Sequence, residues 1–519
     1  MTLIDLRNAF GEVHHNFLKK SLEFHHIPES KISIIMDMYE GYHISVATKK
    51  FVTNPISVKR GVLQGDSLSP LLFNLCFNTL MVTIKKERIK CLGYVLNQLS
   101  LKKHWFQFAD DTAIVTFLPT DNQRLLKILS KWITWSDLVV RVDKCHTMGI
   151  QKTSTKSIQY DPYLVISIQQ IAPIKMGESL VYLGKTFNFD MNLQEAKSEL
   201  MGCIDSYLEK INNLPLHPSS KLEILNSYVY SKIRWSLSIY NFSITWVKQN
   251  CDSIVSRQIR HWLNMHPGAN ITHLCCSKDK LGLNLQLPSN IFDKCQTNVC
   301  NILHQSEDAN VKSIYDATKH KYVENHSIIS TSVQTERSCK TIQNKSIQDS
   351  CWANFVTLKK QSIIITYLTE NLGVNRIKSW QKLIHRLPNN IFSFCRRYLI
   401  LALPTKANLK TWNIINDNIC ILCNKKPETQ HHIISNCPIA AEDRYKWRHD
   451  SVLYTIAHYL LNYTDDSYKL FVDIEGYENP AILFHSCRPD ILLLKNDTLY
   501  VIELTICFET NFIKSHEYK

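Results

Sequence analysis

Asp110 and Asp111 sit side by side in Trp105-Phe106-Gln107-Phe108-Ala109-Asp110-Asp111-Thr112-Ala113-Ile114-Val115. Aromatic and β-branched runs flank a small residue and two acids, which predicts a strand, a tight turn and a second strand. Adjacent carboxylates repel, and a turn between buried strands suits both poorly unless cations are present. A divalent ion held by their oxygens removes that conflict and creates a phosphoryl-transfer site. A solvated Asp-Asp turn is the plain alternative for these residues taken alone.

Two further constellations carry chemistry. Cys420, Cys423, His432 and Cys437 give the spacing C-x2-C-x8-H-x4-C, short enough to close around one tetrahedral zinc. Thiolate and imidazole ligands favour zinc over magnesium. His431 competes with His432, although the x4 spacing puts His432 about one helical turn from Cys437. Arg488-Pro489-Asp490 precedes Ile491 to Leu494, and Glu503 ends the run Thr498 to Ile502. A Lys-Asn-Asp turn joins these runs into a hairpin that brings both acids to one end. Such a pair can hold magnesium for phosphodiester hydrolysis, the alternative being an edge hairpin with exposed acids.

The elements that must position these groups follow in order. Thr2-Leu3-Ile4-Asp5-Leu6 is a short strand bearing an acid, so the chain opens inside a strand and sequence is expected upstream. Helical patterns cover Val13 to Phe24 and Ile32 to Tyr39, with a strand-like Ile44 to Val52 after them. Gly61 and Gly65 bracket Val62-Leu63-Gln64, where two glycines allow close backbone approach to a ligand. Ser69 reads as an N-cap with Pro70 at the first helical position. Phe73, Phe77, Leu80 and Ile84 then keep one helical face apolar. Leu125 to Trp135 is an amphipathic helix, Val139 to Cys145 a strand containing Lys144, and Val181 to Lys185 a strand and turn. From Met191 to Leu263 helices interleave basic and aromatic residues, a pattern that suits a nucleic-acid duplex as well as an ordinary aromatic core. Gln305 to Lys360 is polar and reads as a mobile linker.

Composition bounds the answer. At 519 residues roughly three domains are expected. Hydrophobic residues at 45% and charged residues at 20% exclude a disordered chain. Lys plus Arg (60) exceed Asp plus Glu (46) by 14, which favours a polyanionic partner. Seventeen cysteines, an odd number in a long chain, argue against a disulfide scaffold and for a reducing intracellular compartment. The N-terminus lacks a secretory pattern. The tract from Pro70 to Ile84 is too short and too interrupted to span a bilayer, so no membrane partner is expected.

Together these motifs resemble the non-LTR (LINE-like) retrotransposon reverse transcriptases of the site-specific type. Those elements end in a CCHC zinc knuckle and a restriction-like endonuclease. The resemblance rests on ordered motifs: Asp5-x4-Phe10, Gly61-x-x-Gln64-Gly65-x-x-x-Ser69-Pro70, Phe108-Ala109-Asp110-Asp111, Lys144-Cys145 and Leu183-Gly184, followed by the knuckle and Asp490…Glu503. It implies an α+β chain, with a reverse-transcriptase palm of antiparallel sheet plus helices at 1–189 and a helical thumb at 190–300. A polar linker at 301–375, a helical segment with the zinc knuckle at 376–445 and an α/β endonuclease fragment at 446–519 complete the expected order.

The resemblance also implies roles. Asp5, Asp110 and Asp111 would hold two magnesium ions for activating the primer 3′-hydroxyl and steadying the triphosphate. Phe10 would exclude a ribose 2′-hydroxyl, while Gln64 and Gly65 would contact template and incoming nucleotide. Lys144 would protonate the leaving pyrophosphate, and Tyr182 to Gly184 would grip the primer. Asp490 and Glu503 would nick target DNA to expose the priming end. RNA template, DNA target and primer, and dNTPs are the implied partners, with the nucleus as the implied location. The chain departs from the pattern in three ways. A basic fingers segment before Asp5 is missing, Thr505 stands where a lysine often follows the second acid, and the chain stops soon after Glu503. Lys514 and Lys519 are the candidates for that lysine's charge. The alternative function is a truncated, non-catalytic remnant that only binds nucleic acid.

Overall fold

The computed structural model describes residues 1–519 except 64, 87–92, 97–100, 191, 324–335, 464–466, 483–487 and 519. The fold is α+β and divides into two compact units. One comprises residues 1–200, 235–242 and 295–328; the other comprises 201–234, 243–294 and 329–519.

The first unit is built on a five-stranded sheet with Thr2–Ile4 at its centre. Asp111–Ile114 and then Trp105–Phe108 lie on one side of it, His146–Thr147 and Ala172–Pro173 on the other. All pairings are antiparallel except the last, between Ala172–Pro173 and His146–Thr147. Side chains alternate across a strand. Ile4 and Leu6 therefore share one face, where they join a core with Phe17, Leu18 and Leu22 of helix His15–Phe24. Leu72, Phe73, Phe77 and Leu80 of helix Ser69–Lys86 and Leu125, Leu126 and Leu129 of helix Pro119–Ser136 complete it. Each fully buried leucine there contributes about 1.5–3 kcal/mol, so a charge at Leu126 would open this layer. Trp132 donates its indole N–H to Thr79 Oγ1 at 2.9 Å, tying two of the helices together. Asp5 and Leu3 project from the opposite face, where Leu3 packs with Met148, Ile174, Leu180 and Phe187.

Helix Pro119–Ser136 shows why this layer forms. Pro119 occupies a first-turn position where no N–H is needed, and buried residues recur every three or four positions from Asn122 to Ser136. Asp137, at φ 58°, ends the helix in the left-handed conformation that glycine usually supplies.

Several local expectations change. Ile44 to Val52 is not a continuous strand: His43–Ile44 pairs with Ile56–Ser57, and Ala47 meets Val52 in a single bridge. Val139 to Cys145 is not a strand either. Leu6 bridges Val140, Arg141 N–H bonds Asp5 O at 2.9 Å, and Val142–Lys144 then closes into a 3-10 turn. Ser69 Oγ is buried without a hydrogen-bond partner among the described residues, so it does not cap its helix. The polar stretch expected to be a mobile linker is helical over Ala309–Val323 and Glu336–Val356.

In the second unit, helix Lys446–Tyr463 covers a three-stranded antiparallel sheet of Tyr468–Val472, Ile491–Lys495 and Thr498–Ile502. Leu453, Ala457, Val472 and Ile491 form the seam between them. A separate small core gathers Cys420, Cys437 and Ala440 with Ile433 and Tyr445. The cysteines whose side chains the structure describes are free of disulfide bonds. No helix among the described residues is long and apolar enough to cross a membrane.

Candidate functional sites

The aspartate hairpin is set by its turn. Phe108 pairs with Asp111, leaving Ala109 and Asp110 as the two turn residues, with Ala109 at φ 51°. A non-glycine residue in that region is strained, and here side chains brace it. Gln107 Nε2 donates to Ala109 O at 2.8 Å, and Trp105 Nε1 donates to Gln107 Oε1 at 3.2 Å.

Ile4 pairs with Thr112, so the next pair in that register is Asp5 opposite Asp111. Both acids occupy the face away from the helices. Burial raises the Asp111 pKa, and the charges of Asp110 and Asp5 raise it further. A divalent cation fits this donor set, because it would reverse the sign of the interaction that now raises Asp111.

Other residues singled out by the motifs surround this face. Tyr182 is half-buried, and the nearby Asp111 charge adds to burial in raising its pKa. Leu180–Tyr182 and Lys185–Phe187 form a hairpin whose two turn residues, Leu183 and Gly184, both have positive φ (50° and 73°). That pairing matches the handedness of the flanking strands. A Cβ on Gly184 would meet Trp235 Nε1 at 2.7 Å, and that same nitrogen donates to Leu183 O at 3.0 Å. Tyr240 OH accepts from Thr186 N at 2.7 Å. Trp235 and Tyr240, which no local pattern marks, therefore fix the hairpin.

Phe10 lies flat on Phe73, with ring centroids 4.3 Å apart, and is half-buried. Lys144 is exposed at the end of its 3-10 turn. Gln64 lies outside the described residues. The two glycines of its loop differ: Gly65, at φ 94°, has open space around it, whereas Gly61, at φ 95°, has Gly11 O 2.9 Å from where a Cβ would sit. Gly61 thus permits a close backbone-to-backbone approach to Gly11.

The thiol and imidazole groups do converge. The ligand atoms of Cys420, Cys423, His432 and Cys437 lie within 4.8 Å of one another. Cys423 Sγ is 3.4 Å from His432 Nε2, and Cys420 Sγ is 4.0 Å from Cys437 Sγ. Backbone N–H groups of Lys425 and Lys426 chiefly lower the Cys423 pKa, to about 6. This donor set fits zinc, which takes thiolate and neutral imidazole. His431 instead turns to Asn436 and Asn511. Tyr445 OH donates to His432 O at 3.1 Å and accepts from Cys437 N at 2.8 Å, holding two corners of the cluster.

Asp490 and Glu503 flank the pair Ile491–Ile502 and so occupy the same end of their hairpin. Asp490 is buried, with Oδ2 accepting from Leu504 N at 2.6 Å and Oδ1 lying 3.4 Å from His449 Nε2. Glu503 and Thr505 are exposed, as is Lys514 on helix Phe512–Tyr518; Lys519 lies outside the described residues. His449, on the covering helix, belongs to this cluster without any sequence signal to announce it.

Residues 1–185 match the family described as reverse transcriptase (RNA-dependent DNA polymerase), and residues 362–442 match the zinc-binding region in reverse transcriptase. The whole chain is 22% identical to the Pol polyprotein of the type-1 retrotransposable element R2 of Nasonia vitripennis, of which it spans 48%. It is 21% identical, over 98% of its length, to the corresponding Popillia japonica protein, of which it spans 79%. Half of the chain is 25% identical to the type-2 R2DM Pol polyprotein of Drosophila melanogaster, covering 24% of that protein. With a reverse-transcriptase region and a reverse-transcriptase zinc-binding region on one polypeptide, the chain is similar in content and order to the Pol polyproteins of non-LTR retrotransposons, which supports a reverse transcriptase of that type.

Proposed function

We propose that this chain is the polymerase part of a retrotransposon that copies its own RNA onto a nicked DNA target. The observation that carries the reading is the placing of Asp5 and Asp111 on one sheet face beside Asp110, with Tyr182 close enough to feel the Asp111 charge. Asp111, whose ionisation burial and the charges of Asp110 and Asp5 all oppose, is suited to magnesium, which when bound would supply Lewis acidity to the primer hydroxyl and the phosphoryl oxygens. Asp5, Asp110 and Asp111 would hold it. Phe10, backed by Phe73, would wall off the sugar, and Gly65 would leave room for the nucleotide and template backbone. The hairpin at Tyr182 and Gly184 would carry the primer end. Exposed Lys144 would give a proton to the departing pyrophosphate.

Asp490 and Glu503 are proposed as the acids of a DNA-nicking site, with magnesium as the expected ion and Lys514 as a candidate charge. Cys420, Cys423, His432 and Cys437 would hold a structural zinc. RNA template, DNA primer and target, and dNTPs are the proposed partners, and the nucleus is the proposed place of action.

Magnesium-dependent primer extension on an RNA template tests the polymerase reading. Extension lost in Asp110→Asn supports it. Extension that survives this change assigns the chemistry elsewhere, and salt-sensitive binding without extension in the wild type favours a binding-only chain. Nicking of supercoiled plasmid tests the second site: Asp490→Ala should abolish nicking while extension continues.

A further inference from the structure

On the helical layer of the first unit, opposite the face that bears Asp5, the surface folds into a cleft of about 500 Å³. Arg124, Lys127 and Lys131 line it from one face of helix Pro119–Ser136, and Trp135 continues the same face one turn on. Lys86 reaches it from the end of helix Ser69–Lys86, and Phe24 from the end of helix His15–Phe24.

Two features set this cleft apart from a solvated basic face. Its four cations are gathered without a single carboxylate in the lining, and none of them forms an ion pair among the described residues. Like charges three and four positions apart on a helix repel, so the stripe is self-opposing until an anion lies over it. The apolar walls are also left in solvent: Phe24 is 43% exposed and Trp135 is 56% exposed. Trp135 is nevertheless anchored, its ring meeting Phe17 edge-on at 5.2 Å. A fixed, exposed indole beside a row of cations offers a stacking face and phosphate contacts at once, the chemistry that single-stranded nucleic acid uses. The volume lies in the range of small-molecule pockets and accommodates a nucleotide unit.

We propose that this cleft binds a segment of single-stranded nucleic acid, with a base against Trp135 and Phe24 and its phosphates on Lys86, Arg124, Lys127 and Lys131. The sheet separates it from the aspartates, so it holds a strand outside the polymerase site and does not depend on polymerisation.

Fluorescence anisotropy on the full chain with labelled oligo(U) RNA and oligo(dT) DNA tests the proposal. Trp135→Ala should weaken binding by about tenfold. The double variant Lys127→Glu/Lys131→Glu should weaken it similarly and lower the slope of log K against log salt by roughly 1.4, about 0.7 for each phosphate no longer neutralised. Lys31→Glu, an exposed cation on helix Glu29–Asp37 outside the cleft and outside the polymerase site, should leave affinity unchanged. Loss for RNA alone or DNA alone identifies the strand; loss for either supports the site. Ultraviolet cross-linking of a 4-thiouridine oligomer should label the peptide containing Trp135. Unchanged affinity in both the tryptophan and the double-lysine variants, or a poly-glutamate peptide that displaces the oligomers at equal charge, would overturn it.

Discussion

Asp111 faces Asp5 across the central seam of the palm sheet, one register position beyond the pair Ile4–Thr112. Strand pairing alone produces this relationship between residues far apart in the chain, because each lies one pleat past a buried partner. Asp111→Asn removes one of three mutually repelling charges. Primer extension should fall by a factor on the order of 10²–10³. The melting temperature should stay level or rise, since burial and both neighbouring aspartates now oppose ionisation of Asp111. A large drop in melting temperature would mean that Asp111 serves the fold instead of the chemistry.

The glycines flanking Val62-Leu63-Gln64 make a paired test. Alanine at either position must adopt a φ near +95°, which costs on the order of 1–3 kcal/mol. At Gly61 the new methyl also meets Gly11 O at 2.9 Å, and backbone cannot swing aside. Thermal melts should therefore rank Gly61→Ala clearly below Gly65→Ala, at about 2–4 °C per kcal/mol for a unit of this size. Gly65→Ala should instead raise the apparent KM for dNTP.

The parts visible in the sequence are those set locally. The aspartate hairpin announces itself through β-branched and aromatic residues around a two-residue turn, and the Cys-His spacing survives any detail of packing. What escaped is set by distant contacts. The run Val139 to Cys145 has strand composition, yet Arg141 N–H goes to Asp5 O and the chain curls into a 3-10 turn. Trp235 locks the Leu183-Gly184 turn, and His449 touches Asp490, but neither lies in a motif. The polar stretch after Gln305 lacks an obvious apolar face yet is helical over Glu336–Val356, where Phe355 is fully buried.

The zinc cluster separates two adjacent histidines. His432 Nε2 lies 3.4 Å from Cys423 Sγ, while His431 packs edge-on to Phe508 with ring centroids 4.7 Å apart. Elemental analysis of purified protein should find one zinc per chain. His432→Ala should lose it, and His431→Ala should keep it. Chelation of the wild type should expose the segment around Cys420 to Cys437 to protease, because its small core is built on the ligands themselves.

Acid sensitivity of the second unit should trace in part to His273. Its side chain is fully buried, and burial together with the Arg396 charge outweighs a backbone contact to Asn270, lowering its pKa to about 3. Arg396 is itself buried, with Nη1 donating to Leu281 O at 2.9 Å. A base whose folded pKa lies below its ordinary 6.5 binds more protons when unfolded throughout the interval between the two values. Stability is therefore complete above pH 6.5 and is lost as pH falls towards 3. His385, lowered to about 4 chiefly by burial and then by Arg396, acts in the same direction. Between pH 6.5 and 4.5, His273 alone should account for at most about 3 kcal/mol of lost stability. Urea unfolding of the wild type and of His273→Gln at these two pH values isolates that share, since loss of zinc in acid is common to both. The variant should show the shallower decline; equal declines would place the acid sensitivity elsewhere.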